Sequence, residues 1–259
     1  MEHRSANFAG EKSLTRAPAC PKTGSGGRAS LPGKRLPALA SFVRAGVRVA
    51  DIGTDHALLP VYLVQSGHNP CALASDVRRG PLSRAAETVA RAGLEDRITL
   101  RLADGLAGAE DFSPQDIIIA GMGGELIASL LAAAPMVRSA DVRLILQPMT
   151  HSDRLRAWLW SNGFAIEREA AVAEDRLYEI ICAAYTGIPE RHTPAEILAG
   201  AYHLTSGEEN SVLLVKRRAA QLRKEIESRQ RAGRDVSSEL ACAAQLEEAL
   251  CNTESCIGS

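Results

Sequence analysis

From Lys34 onward the apolar residues alternate between two periods. Leu36, Leu39, Ala40 and Val43 recur at helical spacing, and Val47, Val49 and Ala50 then form a short apolar run ending at Asp51, which reads as a buried strand. The alternation continues. A helical pattern over 58–65 precedes a strand at 72–75, and another over 81–92 precedes a strand at 98–102. A strand at 117–120 precedes a helix at 125–133, a further strand covers 144–146, and a helix over 154–162 leads to two closely spaced β-like runs, 165–173 and 177–184. Strands regularly separated by helices predict a doubly wound, mostly parallel α/β sheet, because each parallel connection needs a crossover that covers a sheet face. The last two runs predict an antiparallel edge.

Past 187 the pattern is helical only. Val212, Val215, Ala219, Leu222 and Ile226 form one stripe, a turn is expected at 232–235, and Leu240, Ala243, Leu246 and Leu250 resume the stripe, which predicts a C-terminal α-helical hairpin. Lys216, Arg217, Arg218, Arg223, Lys224, Arg229, Arg231 and Arg234 make it basic, whereas Glu225, Glu227, Glu239, Glu247 and Glu248 oppose them. A solvated helix face and a polyanion contact are equally good readings. Residues 1–33 carry Pro, Gly and Ser clusters without periodicity and predict a disordered extension, either a variable cytosolic tail or, from its excess of Arg and Lys, an organelle transit peptide. The expected organisation is therefore 1–33, an α/β domain over 34–186 and a helical hairpin over 187–259. At roughly 100–200 residues per domain, the 259-residue chain has room for this.

Composition narrows the function classes. The formal net charge of −1 removes the argument for a generally basic nucleic-acid-binding chain, so any such site is local. Aromatic residues at 4% leave little material for a base-stacking platform. No apolar run approaches the ~18 residues of a membrane span. The six cysteines include no CxxC pair and no histidine at ligand spacing, so reduced packing thiols and no metal are expected. A cytoplasmic monomer is expected, since a hairpin can bury its own stripe.

In an open parallel sheet the ligand sits outside the carboxyl ends of the strands. Those ends are polar and glycine-rich here: Asp51-Ile52-Gly53-Thr54-Asp55-His56, Asp76, Asp104-Gly105, Gly121-Met122-Gly123-Gly124 and Gln147-Pro148-Met149. The first loop has a second acid, Asp55, where a dinucleotide fingerprint places a glycine. A carboxylate there repels a pyrophosphate, so the pocket favours a ligand without phosphates. Asp76 lies where an acid binds ribose hydroxyls, and a nucleoside with a cationic or zwitterionic tail suits the loop best. S-adenosylmethionine has that character, with its adenine edge near Asp104. Asp51 and Asp76 could otherwise cap the following helices, and the glycines could serve only a tight turn.

The strings Val49-Ala50-Asp51-Ile52-Gly53-Thr54-Asp55-His56, Ala74-Ser75-Asp76, Asp104-Gly105-Leu106, Ile119-Ala120-Gly121-Met122-Gly123-Gly124, Leu144-Ile145-Leu146-Gln147-Pro148 and Tyr178-Glu179-Ile180 occur in order from about Lys34 to Ala184. In this the chain resembles the bacterial TrmK family, the tRNA (adenine(22)-N1)-methyltransferases, and the helical tail resembles that family's coiled-coil C-terminal domain. The resemblance implies a Rossmann-like class I methyltransferase that uses S-adenosylmethionine to methylate N1 of a tRNA adenine. It implies a cofactor set of Arg35, Asp51, Gly53, Asp55, His56, Asp76, Asp104, Gly105, Gly121, Met122 and Gly123. Asp55 is the expected catalytic carboxylate and Asp51 the contact for the methionine ammonium, though the two roles are exchangeable. Arg35 is open between the cofactor carboxylate, a tRNA phosphate and plain surface. Tyr178 is expected to pack in an edge strand and His151 to cap a helix. The competing functions are a class I methyltransferase acting on another RNA, a protein or a small molecule, a nicotinamide-dependent oxidoreductase, and an inactive RNA-binding module.

Overall fold

The computed structural model describes residues 30–257, so most of the expected 1–33 extension lies outside the described residues. The chain runs α1 (Arg35–Ala40), β1 (Val49–Ile52), α2 (Leu58–Gln65), β2 (Ala72–Asp76), α3 (Arg79–Ala92), β3 (Ile98–Leu102), β4 (Asp116–Gly123) and α4 (Gly124–Ala132). It continues through β5 (Arg143–Thr150), α5 (Ser152–Ser161), β6 (Phe164–Ala173), β7 (Leu177–Tyr185), α6 (Pro194–Ala199), α7 (Ala201–Thr205), α8 (Glu209–Arg231) and α9 (Ser237–Ile257). The seven strands form one sheet in the order β3-β2-β1-β4-β5-β7-β6. The first five are parallel, and β7 enters antiparallel between β5 and β6. This is the expected doubly wound sheet with an antiparallel edge.

Period-two alternation sorts the strand residues onto two faces. Ala50, Ile52, Leu73, Ile117, Ile119, Leu144 and Leu146 pack against Ile127 and Leu131 of α4 and Leu155 and Leu159 of α5. Val49, Ala72, Ala74, Ile118 and Ile145 face the other way, onto α1, α2 and α3 through Leu39, Leu63, Ala85 and Val89. Burial on both faces explains why the strands read as continuous apolar runs. The tail builds a third core, in which Ala195 and Ala199 of α6 close on Val215, Ala219 and Leu222 of α8 and Ala243 and Leu246 of α9.

Three features depart from expectation. β4 and β5 run on past Ala120 and Leu146, because register shifts between Ala120, Met122 and Gly123 keep Met122 paired with Pro148 and Gly123 with Thr150. Glycine and proline read as terminators, but an irregular ladder absorbs them. Helices α6 and α7 have no counterpart in the apolar pattern. Only a capping box marked the first of them: Thr193 Oγ1 accepts from the Glu196 amide at 3.2 Å, and Glu196 accepts from the Thr193 amide at 2.7 Å. Cys182 and Cys242 are buried free thiols as expected, whereas Cys71 is disulfide-bonded. Missing CxxC spacing rules out neighbouring partners only.

A buried ionic cluster ties the tail to the sheet. Arg156 of α5 is wholly buried; its Nε donates to Glu169 of β6 at 2.7 Å and its Nη2 to Glu179 of β7 at 2.6 Å. Glu179 Oε1 also accepts from Ser152 at 2.8 Å and from Arg218 of α8 at 2.6 Å. Burial alone would raise the Glu179 carboxyl, but Arg156 and Arg218 hold it at about 2. Removing one partner strands the others. Arg156→Ala should cost about 3–5 kcal/mol in denaturant unfolding. The depressed carboxyl stabilises the fold above its ordinary 4.5 and loses that contribution as pH falls toward 2. The stability gap between wild type and Glu179→Gln should therefore close over that window.

Candidate active site

The order of strands reverses between β1 and β4, and the groove expected at such a switch point is present there. It has two lobes. One, of about 320 Å³, is lined by Arg35, Asp51, Gly53, Thr54, Asp55 and His56 among others. The second, of about 280 Å³, is lined by Asp76, Val77, Asp104, Gly105, Met122 and Leu126. Gly53, Arg78, Ala120 and Gly121 border both lobes, which makes them one continuous groove. Ten of the eleven residues expected to hold a cofactor thus meet in one place. Gly123 does not line it; its backbone is extended (φ −68°) and a Cβ there would press on Thr150 Oγ1 at 3.2 Å. It serves the close approach of β4 to β5.

The acids differ sharply in environment. Asp51, at the end of β1, is 9% exposed. Burial pushes its carboxyl up to about 6 against the opposing pull of the Thr54 hydroxyl and the Arg35 charge. Asp55 stands exposed at the groove lip, bonded to Arg84 of α3 and 3.4 Å from His56 Nε2. The Arg84 hydrogen bond, foremost, holds its carboxyl below the ordinary range. Asp76 is buried and its Oδ1 accepts the Arg78 amide at 2.7 Å. Neither Asp51 nor Asp76 caps a helix, since the N-cap positions fall at Ala57 and Arg78 without side-chain bonds. Capping therefore does not account for these acids.

Two glycines shape the groove. Gly53 (φ +81°) has Met122 Cε where a Cβ would stand, so loop and side chain can touch only without one. Gly121 (φ +82°) has open space there, and any Cβ would intrude on the groove.

Arg35 is fixed by elements far away in sequence. Its Nη1 donates to Gln147 Oε1 at 2.9 Å, its guanidinium lies 5.3 Å from the Tyr178 ring centroid, and its amide donates to Glu174 at 2.7 Å. Arg35 lines the groove. Tyr178 packs as expected, though in β7, which is paired on both sides and is not the edge strand, and donates its hydroxyl to Asp175 at 2.7 Å. His151 occupies the N-cap of α5 in a left-handed conformation, but its side chain makes no capping bond. Gln147, Thr54, Arg78 and Arg84 were not singled out from the sequence. Gln147 directly follows the apolar run of the fifth strand, which is the one local signal for it.

The switch-point groove and its acid-and-glycine loops define a methyltransferase domain, and a family profile described as "Methyltransferase domain" matches residues 32–181. Over 191 residues the chain is 37% identical to the tRNA (adenine(22)-N(1))-methyltransferase of Bacillus subtilis, covering 71% of this chain and 78% of that protein. A solved Streptococcus pneumoniae structure, titled a putative tRNA (m1A22) methyltransferase in complex with S-adenosyl-L-methionine, superimposes with a TM-score of 0.72 at 34% identity. It covers 83% of this chain and 98% of its own. The B. subtilis m1A22 tRNA methyltransferase TrmK aligns with the same TM-score at 29% identity, covering 88% of this chain and 99% of its own. The chain belongs to the TrmK family of tRNA (adenine(22)-N(1))-methyltransferases. Among the described residues, no group of three or more His, Cys, Asp or Glu could hold a metal ion, and no helix is long and apolar enough to cross a membrane.

Asp51 carries a stability cost. A carboxyl raised from 3.8 to about 6 contributes fully to stability below the lower value and loses that contribution as pH rises through the upper one. Asp51→Asn should therefore melt higher than wild type at pH 7.5, with the gap vanishing below pH ~4, as followed by differential scanning fluorimetry.

Proposed function

We propose that the chain transfers the methyl group of S-adenosylmethionine to N1 of an adenine in tRNA, at position 22. The observation that carries this reading is the acid-lined groove at the switch point in a chain of this family. Its donor set fits the cofactor: Gly121 leaves the space a Cβ would fill, and the carboxylates suit hydroxyls and an ammonium but repel phosphates. Asp76 would hold the ribose hydroxyls, Asp104 and Gly105 the adenine edge, and Asp51 the methionine ammonium. Arg35 would take the methionine carboxylate. When bound, the cofactor supplies an electrophilic methyl group on a sulfonium.

The protein's task is then placement. An unpaired adenine N1 carries its own lone pair, so no strong base has to act first; the site must orient that edge, exclude water and tolerate the positive charge that develops on the ring. Asp55, exposed at the groove lip, would offset that charge and afterwards accept a proton from the exocyclic amine. Asp51 and Asp55 thereby separate into a buried cofactor contact and an exposed acceptor-side group. Residues 34–186 perform the transfer and 187–259 grip the tRNA. The protein acts as a cytoplasmic monomer without a metal.

Incubation with unmodified bacterial tRNA and the cofactor, followed by nucleoside mass spectrometry, should yield 1-methyladenosine. Asp55→Ala should abolish that product while retaining cofactor binding. A cofactor-induced melting shift without any methylated nucleoside would sink the tRNA reading in favour of another substrate. Cofactor affinity measured by calorimetry should rise as pH increases through about 6, where Asp51 ionises, and Asp51→Asn should flatten that profile.

A further inference from the structure

The basic run of the tail is not a uniform charged face. Arg223 pairs with Glu247 at 2.6 Å, Arg229 with Glu225 at 3.0 Å and Glu239 at 2.5 Å, and Arg231 with Glu227 at 4.0 Å. Arg218 is held by Glu179 and Ser152, at 2.6 and 2.7 Å. Arg217 differs. Like Lys224 and Arg234 it is exposed and makes no side-chain hydrogen bond or ion pair with the described residues, but of the three it alone lines a groove, of about 520 Å³, between α8 and the turn after β5. Met149, Thr150, His151, Leu214 and Gln221 line the same groove.

This second groove lies one strand away from the first. Pro148 and Thr150 on its floor pair with Met122 and Gly123 at the end of β4, and Met122 lines the cofactor groove. Two polar anchors set α8 over that floor: Asn210 Nδ2 donates to the Ala171 carbonyl at 3.1 Å, and Arg218 donates to Glu179 and Ser152 two turns later. The acids bordering the groove are largely spoken for. Glu179 is matched by Arg156 and Arg218 and Glu225 by Arg229; Asp153, in the first turn of α5, remains without an ion pair among the described residues. An unmatched guanidinium in a groove one strand away from a methyl-transfer groove suits one anion of an RNA chain, the phosphodiester.

We infer that Arg217 binds a backbone phosphate of the tRNA next to the target adenosine, and that Arg218 is a positioning residue that holds α8 where Arg217 can reach it. The inference rests on the tRNA reading above. It is tested by titrating tRNA at saturating cofactor over a series of salt concentrations. Arg217→Ala should raise KM for tRNA about tenfold, leave kcat and cofactor affinity unchanged, and reduce the salt slope by about one. Arg217→Lys should restore most of the affinity, since a point charge suffices for one phosphate. Arg218→Ala should raise KM in the same way, with partial rescue by Arg218→Lys. Asp153→Asn should lower KM by removing a repelling charge. If wild type methylates tRNA while Arg217→Ala leaves KM and salt slope unchanged, or if Asp153→Asn raises KM, the phosphate site is overturned and the enzymatic reading stands. If wild type forms no methylated adenosine, both fall together.

Discussion

β1 is paired in parallel on both sides, with Ala50 opposite Leu73 of β2 and opposite Ile117 of β4. From β1 the chain builds outward to β2 and β3 on one side, and later returns to build β4 and β5 on the other. Parallel strands place all their carboxyl ends on one edge of the sheet, and the reversal parts the crossover connections at that edge. Every residue of the groove depends on this arrangement. Asp51, Asp76, Asp104 and Gly121 are distant in sequence and neighbours only because four parallel strands end side by side.

Within the groove, burial gives similar residues different capacities. Asp51 and Asp55 are four residues apart in one loop, yet one is enclosed by α1 and the strand ends and the other stands in solvent beside Arg84. A desolvated carboxylate is costly alone, whereas a solvated one beside a guanidinium keeps its charge at little cost. The fold thus keeps a desolvated carboxyl at β1. The opposite choice governs the Arg156 cluster, where two arginines match two glutamates inside the protein. Such clusters add little net stability over an apolar packing, but they tolerate very few geometries. Here the geometry they fix is the seat of α8 on the edge of the sheet.

The tail is therefore both a separate core and an attached one. Apolar contacts among α6, α8 and α9 make it a small helical unit, and Asn210 and Arg218 fasten that unit to β6, β7 and the turn after β5. That turn is itself pressed against the glycine motif, where Gly124 leaves no room for a Cβ beside the His151 carbonyl. Contacts run without a break from the helical hairpin to the cofactor groove.

By itself, the sequence determined the strand and helix alternation, the antiparallel edge, the hairpin and nearly all of the groove. Those features rest on local periodicity and on the rule that parallel strands put their carboxyl ends together, which residue order reveals. It also set the family, through short strings at fixed spacing. Tertiary structure alone decided what depends on distant partners. Arg35 is drawn to the groove by Gln147 and Tyr178, more than a hundred residues on. Gly123 is turned to strand packing by Thr150, and Cys71 to a disulfide that local spacing gave no sign of. The basic run of α8 was ambiguous in one dimension because opposite charges were equally plentiful nearby. Only the helix pairing and the buried Glu179 show which arginines are neutralised and which, Arg217 among them, stay unmatched among the described residues, since an ion pair is a matter of a few ångströms in space.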